Sequence, residues 1–156
     1  MDWKLRSNSG RQLSTWNVND QTAEHLSCEY EFRSQSVESD HPGAVIKFSQ
    51  LIVAKSGLLE FVEITNEWLN QPLPIVASKK FELTVDMGGG FDTYVQVRFG
   101  ENPSVISGLN NVATIEYCVA GIDGELAYAV DQSCLREMVE GVMAALGADD
   151  QIERSR

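Results

Sequence analysis

Basic side chains are scarce in this sequence, and long apolar runs are missing altogether. The chain holds 12 Lys and Arg against 23 Asp and Glu, a formal net charge of −11 with a pI near 4.5. Such a surface repels the phosphates of DNA and RNA and the anionic lipids of a bilayer, so direct nucleic-acid and membrane binding are not expected. No stretch reaches the roughly 20 apolar residues that a membrane helix needs, and the opening Met-Asp-Trp-Lys-Leu-Arg lacks the apolar segment of a signal peptide. A soluble, cytoplasmic protein is the expectation. Cysteine is sparse too: Cys28, Cys118 and Cys134 are odd in number, far apart, and include no C-x-x-C pair. That disfavours both a disulfide framework and a zinc site, and reduced thiols are expected.

Catalytic signatures are equally thin. His25 falls on the polar register of an alternating segment and His41 in a turn before Pro42, with no metal or triad motif around either, so both read as surface residues. Gly88-Gly89-Gly90 invites a phosphate-loop reading, but Phe91-Asp92-Thr93-Tyr94-Val95 continues as a strand, and the lysine and hydroxyl of a nucleotide loop are missing. A hairpin tip fits that context better. Cys134 lies at the start of a predicted helix, where the dipole favours a thiolate, yet Asp131 and Glu137 oppose it; it reads as a structural thiol first and a redox-sensitive one second. Cys28 shares a register with core residues and should be buried. Carboxylates abound, but no cleft signature or aromatic platform singles out a pair for glycoside hydrolysis. No catalytic residue, cofactor or metal site is predicted, and the chain reads as a non-enzyme.

What the sequence does contain is a core and clear periodicity. Its 156 residues, 43% of them hydrophobic, suffice for one domain. Trp3 to Val18 reads as two extended pieces reversing at Asn8-Ser9-Gly10. From Glu24 to Arg33, Leu26, Cys28, Tyr30 and Phe32 alternate with Ser27, Glu29, Glu31 and Arg33, the pattern of a half-buried strand. A turn at Asp40-His41-Pro42-Gly43 should lead to a second strand over residues 44–54. Leu58, Phe61, Val62, Thr65, Trp68 and Leu69 recur at helical spacing and predict a helix over about 58–71, with Glu60, Glu63 and Glu67 on its solvated side. Strands are expected at 80–87 and 93–99, paired as a hairpin, and at 113–119 and 125–130, joined at Asp123-Gly124.

Leu135, Met138, Val139, Val142, Met143 and Leu146 form the stripe of a second helix, about 133–146, opened by Asp131 or Ser133 and ended by Gly147. Residues 148–156 have little to bury and read as a loose, disordered tail outside a domain of 1–147. No internal repeat is evident. This order predicts an α+β domain with a curved, mainly antiparallel sheet partly covered by two amphipathic helices, although a more sandwich-like packing would also satisfy the pattern. Trp3, Trp16 and Trp68 read as core or edge-packing aromatics rather than as a binding box.

Charge is distributed unevenly along the chain. From Glu101 to Glu153 there are ten acidic residues and one basic one, Arg136, whereas the first nineteen residues hold Lys4, Arg6 and Arg11 against Asp2 alone. Solvated helix faces and the 148–156 segment account for much of this. The remainder is a smaller candidate patch, Glu116, Asp123, Glu125, Glu137 and Glu140, suited to meet a basic protein.

A small acidic domain with extended segments, a mid-chain helix around Leu58-Leu59-Glu60-Phe61, later hairpins and a terminal helix resembles the immunity proteins of polymorphic toxin and contact-dependent inhibition systems. The resemblance spans residues 26 to 146 in element order and rests on no diagnostic motif. It implies a bacterial protein that binds and neutralises a cognate toxin, often a nuclease, and a monomer is favoured. Type III secretion chaperones, which are small, acidic, α+β and dimeric, are the alternative, although their opening helix is not evident. An enzyme is the third reading.

Overall fold

The computed structural model describes residues 1–36, 43–70, 81–90, 92–101 and 111–154. Among these described residues, eight strands form two separate antiparallel sheets of four, each in simple meander order, and each sheet is followed by a helix. The first sheet comprises β1 (Asp2–Arg6), β2 (Gln12–Gln21), β3 (His25–Ser34) and β4 (Ala44–Ala54), and passes directly into α1 (Lys55–Leu69). The second comprises β5 (Leu83–Gly90), β6 (Thr93–Glu101), β7 (Asn111–Val119) and β8 (Ile122–Val130), followed by α2 (Gln132–Arg154).

The α+β class therefore stands, while the single curved sheet is corrected to two sheets. Both halves alternate apolar and polar residues, so each sheet has one apolar face, and the two apolar faces bury one another in a common core. The chain also repeats ββββα twice without visible sequence self-similarity, a feature the residue pattern alone did not reveal. The predicted turn at residues 40–43 lies mostly outside the described residues, as does Gln71 at the expected end of the first helix.

Aromatic residues fix the register of the first sheet. Trp3, Trp16, Tyr30 and Phe48 are directly opposite one another across β1 to β4, with successive ring centroids 6.1, 4.8 and 6.1 Å apart. Phe48 then meets Tyr117 of β7 at 5.3 Å, carrying the row into the second sheet. A shift of one residue in any strand would turn its aromatic to solvent, so this row strongly selects the observed pairing.

Polar contacts cross the same core. Tyr30 and Tyr128 hydroxyls lie 3.0 and 2.9 Å from Ser14 Oγ, and the Tyr128 hydroxyl donates to the Leu5 carbonyl at 3.0 Å. A consistent chain of donors runs from Tyr30 through Ser14 and Tyr128 to Leu5. Burial raises both phenols above their ordinary value, so they remain neutral donors. The Trp16 indole donates to the Met87 carbonyl at 2.9 Å and ties β2 to β5.

The helices exchange halves. α2 lies on β1, where a Cβ on Gly141 would come within 2.9 Å of Trp3 Cβ, so the missing side chain is what lets helix and strand approach. α1 reaches the second sheet through Phe61 on Phe99 at 5.6 Å, and its Trp68 meets Phe81, just ahead of β5, at 5.0 Å.

Several boundaries move from their expected places. α1 begins at Lys55, ahead of Ser56-Gly57, and has no side-chain cap. α2 runs through Gly147 to Arg154, so helical backbone occupies much of the stretch read as a tail; glycine inside a helix costs only about 1 kcal/mol relative to alanine. The β7–β8 turn falls at Ala120-Gly121, both with positive φ (53° and 80°), as a two-residue hairpin turn of this hand requires. Asp123-Gly124, the predicted turn, lies instead within β8. Gly88 and Gly89, read as a hairpin tip, form a bulge within β5 with φ of 139° and 113°.

Candidate protein-binding surface

The outward registers of β6, β7 and β8 build one exposed face on the second sheet. Val95, Val97 and Phe99 point into the core, which leaves Tyr94, Gln96 and Arg98 outside; likewise Ala113, Ile115 and Tyr117 face in and Thr114, Glu116 and Cys118 face out. On β8 the outward set is Asp123, Glu125, Ala127 and Ala129. Three of the predicted acids, Glu116, Asp123 and Glu125, are thereby brought onto one surface.

Their arrangement is more specific than a scatter of charge. Glu116 and Glu125 are direct cross-strand partners. The position also belongs to the set of pairs that do not exchange backbone hydrogen bonds, where side chains approach most closely and like charges repel. Arg98 of β6 stands near both: its Nη2 is 4.0 Å from Glu116 Oε2 and 3.7 Å from Glu125 Oε2. Tyr94 donates its hydroxyl to Glu116 Oε1 at 3.3 Å, and the Glu116 carboxylate pushes that phenol up from its ordinary value. The three charged side chains are 39–57% exposed, so their ion pairs are screened and each is worth less than about 1 kcal/mol. One guanidinium shared by two carboxylates leaves a net negative charge, and Asp123 adds to it.

Glu137 and Glu140 are placed differently. Glu137, in the second turn of α2, accepts a hydrogen bond from Arg6 Nε of β1 at 2.7 Å, so it serves as a strap between helix and strand. Glu140 is exposed one turn further along. The ionic partner of this helix surface is Arg6, with Ser133 Oγ 3.4 Å from the same guanidinium. No hydrogen bond or ion pair among the described residues joins Glu137 or Glu140 to the Glu116–Glu125 pair.

Arg98 and Tyr94 are the members of the face that sequence reading missed. Their alternation with Val95, Val97 and Phe99 marks them as outward, but only the strand order places them beside Glu116.

Elsewhere the chemistry is that of a scaffold. Asp131 caps α2: its Oδ1 accepts from Cys134 N–H at 3.0 Å and from Ser133 Oγ at 2.6 Å, and these bonds, led by that from Ser133, lower its pKa to about 2. Burial pushes the Cys28 thiol up to about 12 and raises Cys134 as well, consistent with structural thiols. His25 is exposed beside an open depression of ≈ 450 Å³ that Glu24, Lys55 and Leu59 also line. His41 lies outside the described residues. Among the described residues, no group of three or more His, Cys, Asp and Glu is placed to hold a metal ion, and no helix is long and apolar enough to cross a membrane.

No protein-family model matches the sequence, and comparison with curated proteins gives no significant match. Among solved structures, that of the plant transcriptional regulator PBF-2 aligns over 100% of this chain and 87% of its own, with a TM-score of 0.48 and 9% identity.

Proposed function

We propose that this chain is a non-enzymatic binding protein that engages a basic protein partner through the outer face of its second sheet, and that the partner is a toxin which it neutralises as an immunity protein. The observation that carries the reading is the opposition of Glu116 and Glu125 across β7 and β8. Like charges directly opposite one another cost stability, and one shared arginine offsets this only in part. A cationic partner would relieve the repulsion on binding, so the face gains from a complex what it lacks alone. Occlusion of a basic nuclease surface is the inhibition mode this charge suits.

The test is co-expression with the product of the neighbouring gene in a growth-inhibition assay. The wild-type chain is expected to restore growth, and a Glu116→Lys/Glu125→Lys variant to lose protection while remaining folded by circular dichroism. Full protection by the doubly reversed variant would remove this face from the mechanism; no growth inhibition by the neighbouring product would remove that product as the toxin.

A further inference from the structure

A sheet edge presents a row of unpaired N–H and C=O groups, and folded proteins ordinarily cover, bend or charge such edges to prevent other strands from adding. Three of the four edges here are managed in that way. α2 lies along β1. β4 carries Lys47 and a bulge at Gln50, whose φ is 61°, and packs on β5 and α1. β5 carries its own bulge at Gly88-Gly89 and is flanked by β4 and α1.

Among the described residues β8 is neither covered nor bent, and the charges it carries, Asp123 and Glu125, repel a second acidic strand but not a basic one. Its pairing with β7 runs from Val119↔Ile122 to Asn111↔Val130 without a register shift, and its sequence contains neither proline nor lysine. Among the described residues, the backbone bond to its outer side lies at the far end, where Asn8 N–H donates to the Ala129 carbonyl at 2.9 Å.

That bond identifies the groups that point outward. Backbone direction alternates along a strand, so if Ala129 faces away from β7, then Ala127, Glu125 and Asp123 do so as well. The two-residue turn at Ala120-Gly121 requires the same parity, because it sets Val119 and Ile122 as a pair that exchanges hydrogen bonds. Asp123, Glu125 and Ala127 are all exposed. The side chains of Asp123 and Glu125 stand on the acidic face, whereas Ile122, 58% exposed, and Leu126, partly buried, stand on the opposite one.

We infer that β8 is the docking strand for an extended, basic segment of the partner, which adds to the second sheet as a fifth strand. This rests on the acidic-face reading above and specifies how that face is engaged. Residues of the added strand that project beside Asp123 and Glu125 are Lys or Arg, and those between them, beside Ile122 and Leu126, are apolar. Main-chain bonds to Asp123, Glu125 and Ala127 supply affinity, and the alternation supplies selectivity. A second copy of this chain is a poor occupant, because pairing β8 with β8 brings acidic residues against acidic residues.

The direct probe is a peptide of about ten residues alternating Lys and Val, with a Lys-Pro peptide of equal charge as control, since proline cannot donate to a ladder. At low ionic strength the Lys-Val peptide is expected to bind about tenfold or more tightly than the control, measured by fluorescence anisotropy. Amide exchange at Asp123, Glu125 and Ala127 should slow in its complex. Ala127→Pro, whose lost N–H points away from β7, should abolish the difference between the peptides; N-methylation of alternate Lys-Val residues should do the same with no change to the protein.

Equal binding of the two peptides with unchanged exchange at those amides overturns strand addition and leaves the acidic-face reading standing. Failure of both peptides to bind at low salt overturns both. A dimer that already protects these amides without peptide assigns the edge to a second copy and overturns the inference.

Discussion

At the scale of single residues, the telling position is the Glu116–Glu125 pair, because its cost to stability and its proposed use have opposite signs. Glu125→Gln removes the repulsion while Glu116 keeps Arg98. Chemical denaturation should find the variant unchanged or more stable by up to about 0.5 kcal/mol, whereas association with a basic partner should slow. A loss above about 1 kcal/mol would mean that the Arg98–Glu125 contact is a structural bridge. Asp131 is the structural counterpart. Asp131→Ala should cost about 1 kcal/mol, the usual worth of a helix N-cap, and Asp131→Asn much less. Its folded-state pKa, about 2, lies below the ordinary 3.8, so its contribution is present above about pH 4 and is lost as pH falls toward 2. The stability gap between wild type and Asp131→Ala should therefore narrow over that window; a gap unchanged at pH 2 would contradict the cap.

At the scale of elements, Gly141 links helix sequence to tertiary packing. Alanine is the better helix former by about 1 kcal/mol, yet here its methyl would meet Trp3 Cβ at 2.9 Å and Trp3 Cα at 3.1 Å. Gly141→Ala should thus destabilise the fold by about 1–3 kcal/mol on urea unfolding, and a stabilised variant would refute the close packing of α2 on β1. Local pattern made most elements legible. The alternation around Cys28 and Tyr30 announced β3, Asn8-Ser9-Gly10 announced the β1–β2 turn, and the residues from Ala44 to Ala54 formed β4 as expected. The misplaced features share one cause. Asp123-Gly124 and Gly88-Gly90 carry strong turn chemistry, but the chain had already turned at Ala120-Gly121, and the glycines were used for a bulge near Leu51. Long-range pairing overrode local preference at both places, as it did at Gly147 inside α2.

At the scale of the molecule, what the sequence could not disclose was the division into two sheets. Outward and inward registers were readable strand by strand; which strands became neighbours was not. That is why Arg98 and Tyr94 escaped notice, and why five candidate acids divide into a face (Glu116, Asp123, Glu125) and a helix surface (Glu137, Glu140). The two halves are held together through the buried hydroxyl chain, so Tyr128→Phe should cost about 1–3 kcal/mol by leaving Ser14 and the Leu5 carbonyl short of a partner. A change below about 0.5 kcal/mol would make that chain incidental to stability. The linear charge asymmetry also acquires a spatial form. The outer face of the first sheet mixes Lys4, Arg6, Arg33 and Lys47 with Asp2, Glu29 and Glu31, partly in ion pairs, whereas the corresponding face of the second sheet sets Asp86, Glu116, Asp123 and Glu125 around Arg98.

The central claim is that this second face, rather than net charge, recruits the partner. It is tested most directly by the association rate with the neighbouring gene's product as ionic strength is varied, for wild type, Glu116→Lys/Glu125→Lys and Glu137→Lys/Glu140→Lys. Reversal on the sheet should slow association about tenfold or more at low salt and flatten its salt dependence, while reversal on α2 has a smaller effect. Equal slowing by both double variants, or slowing by the α2 variant alone, would contradict it.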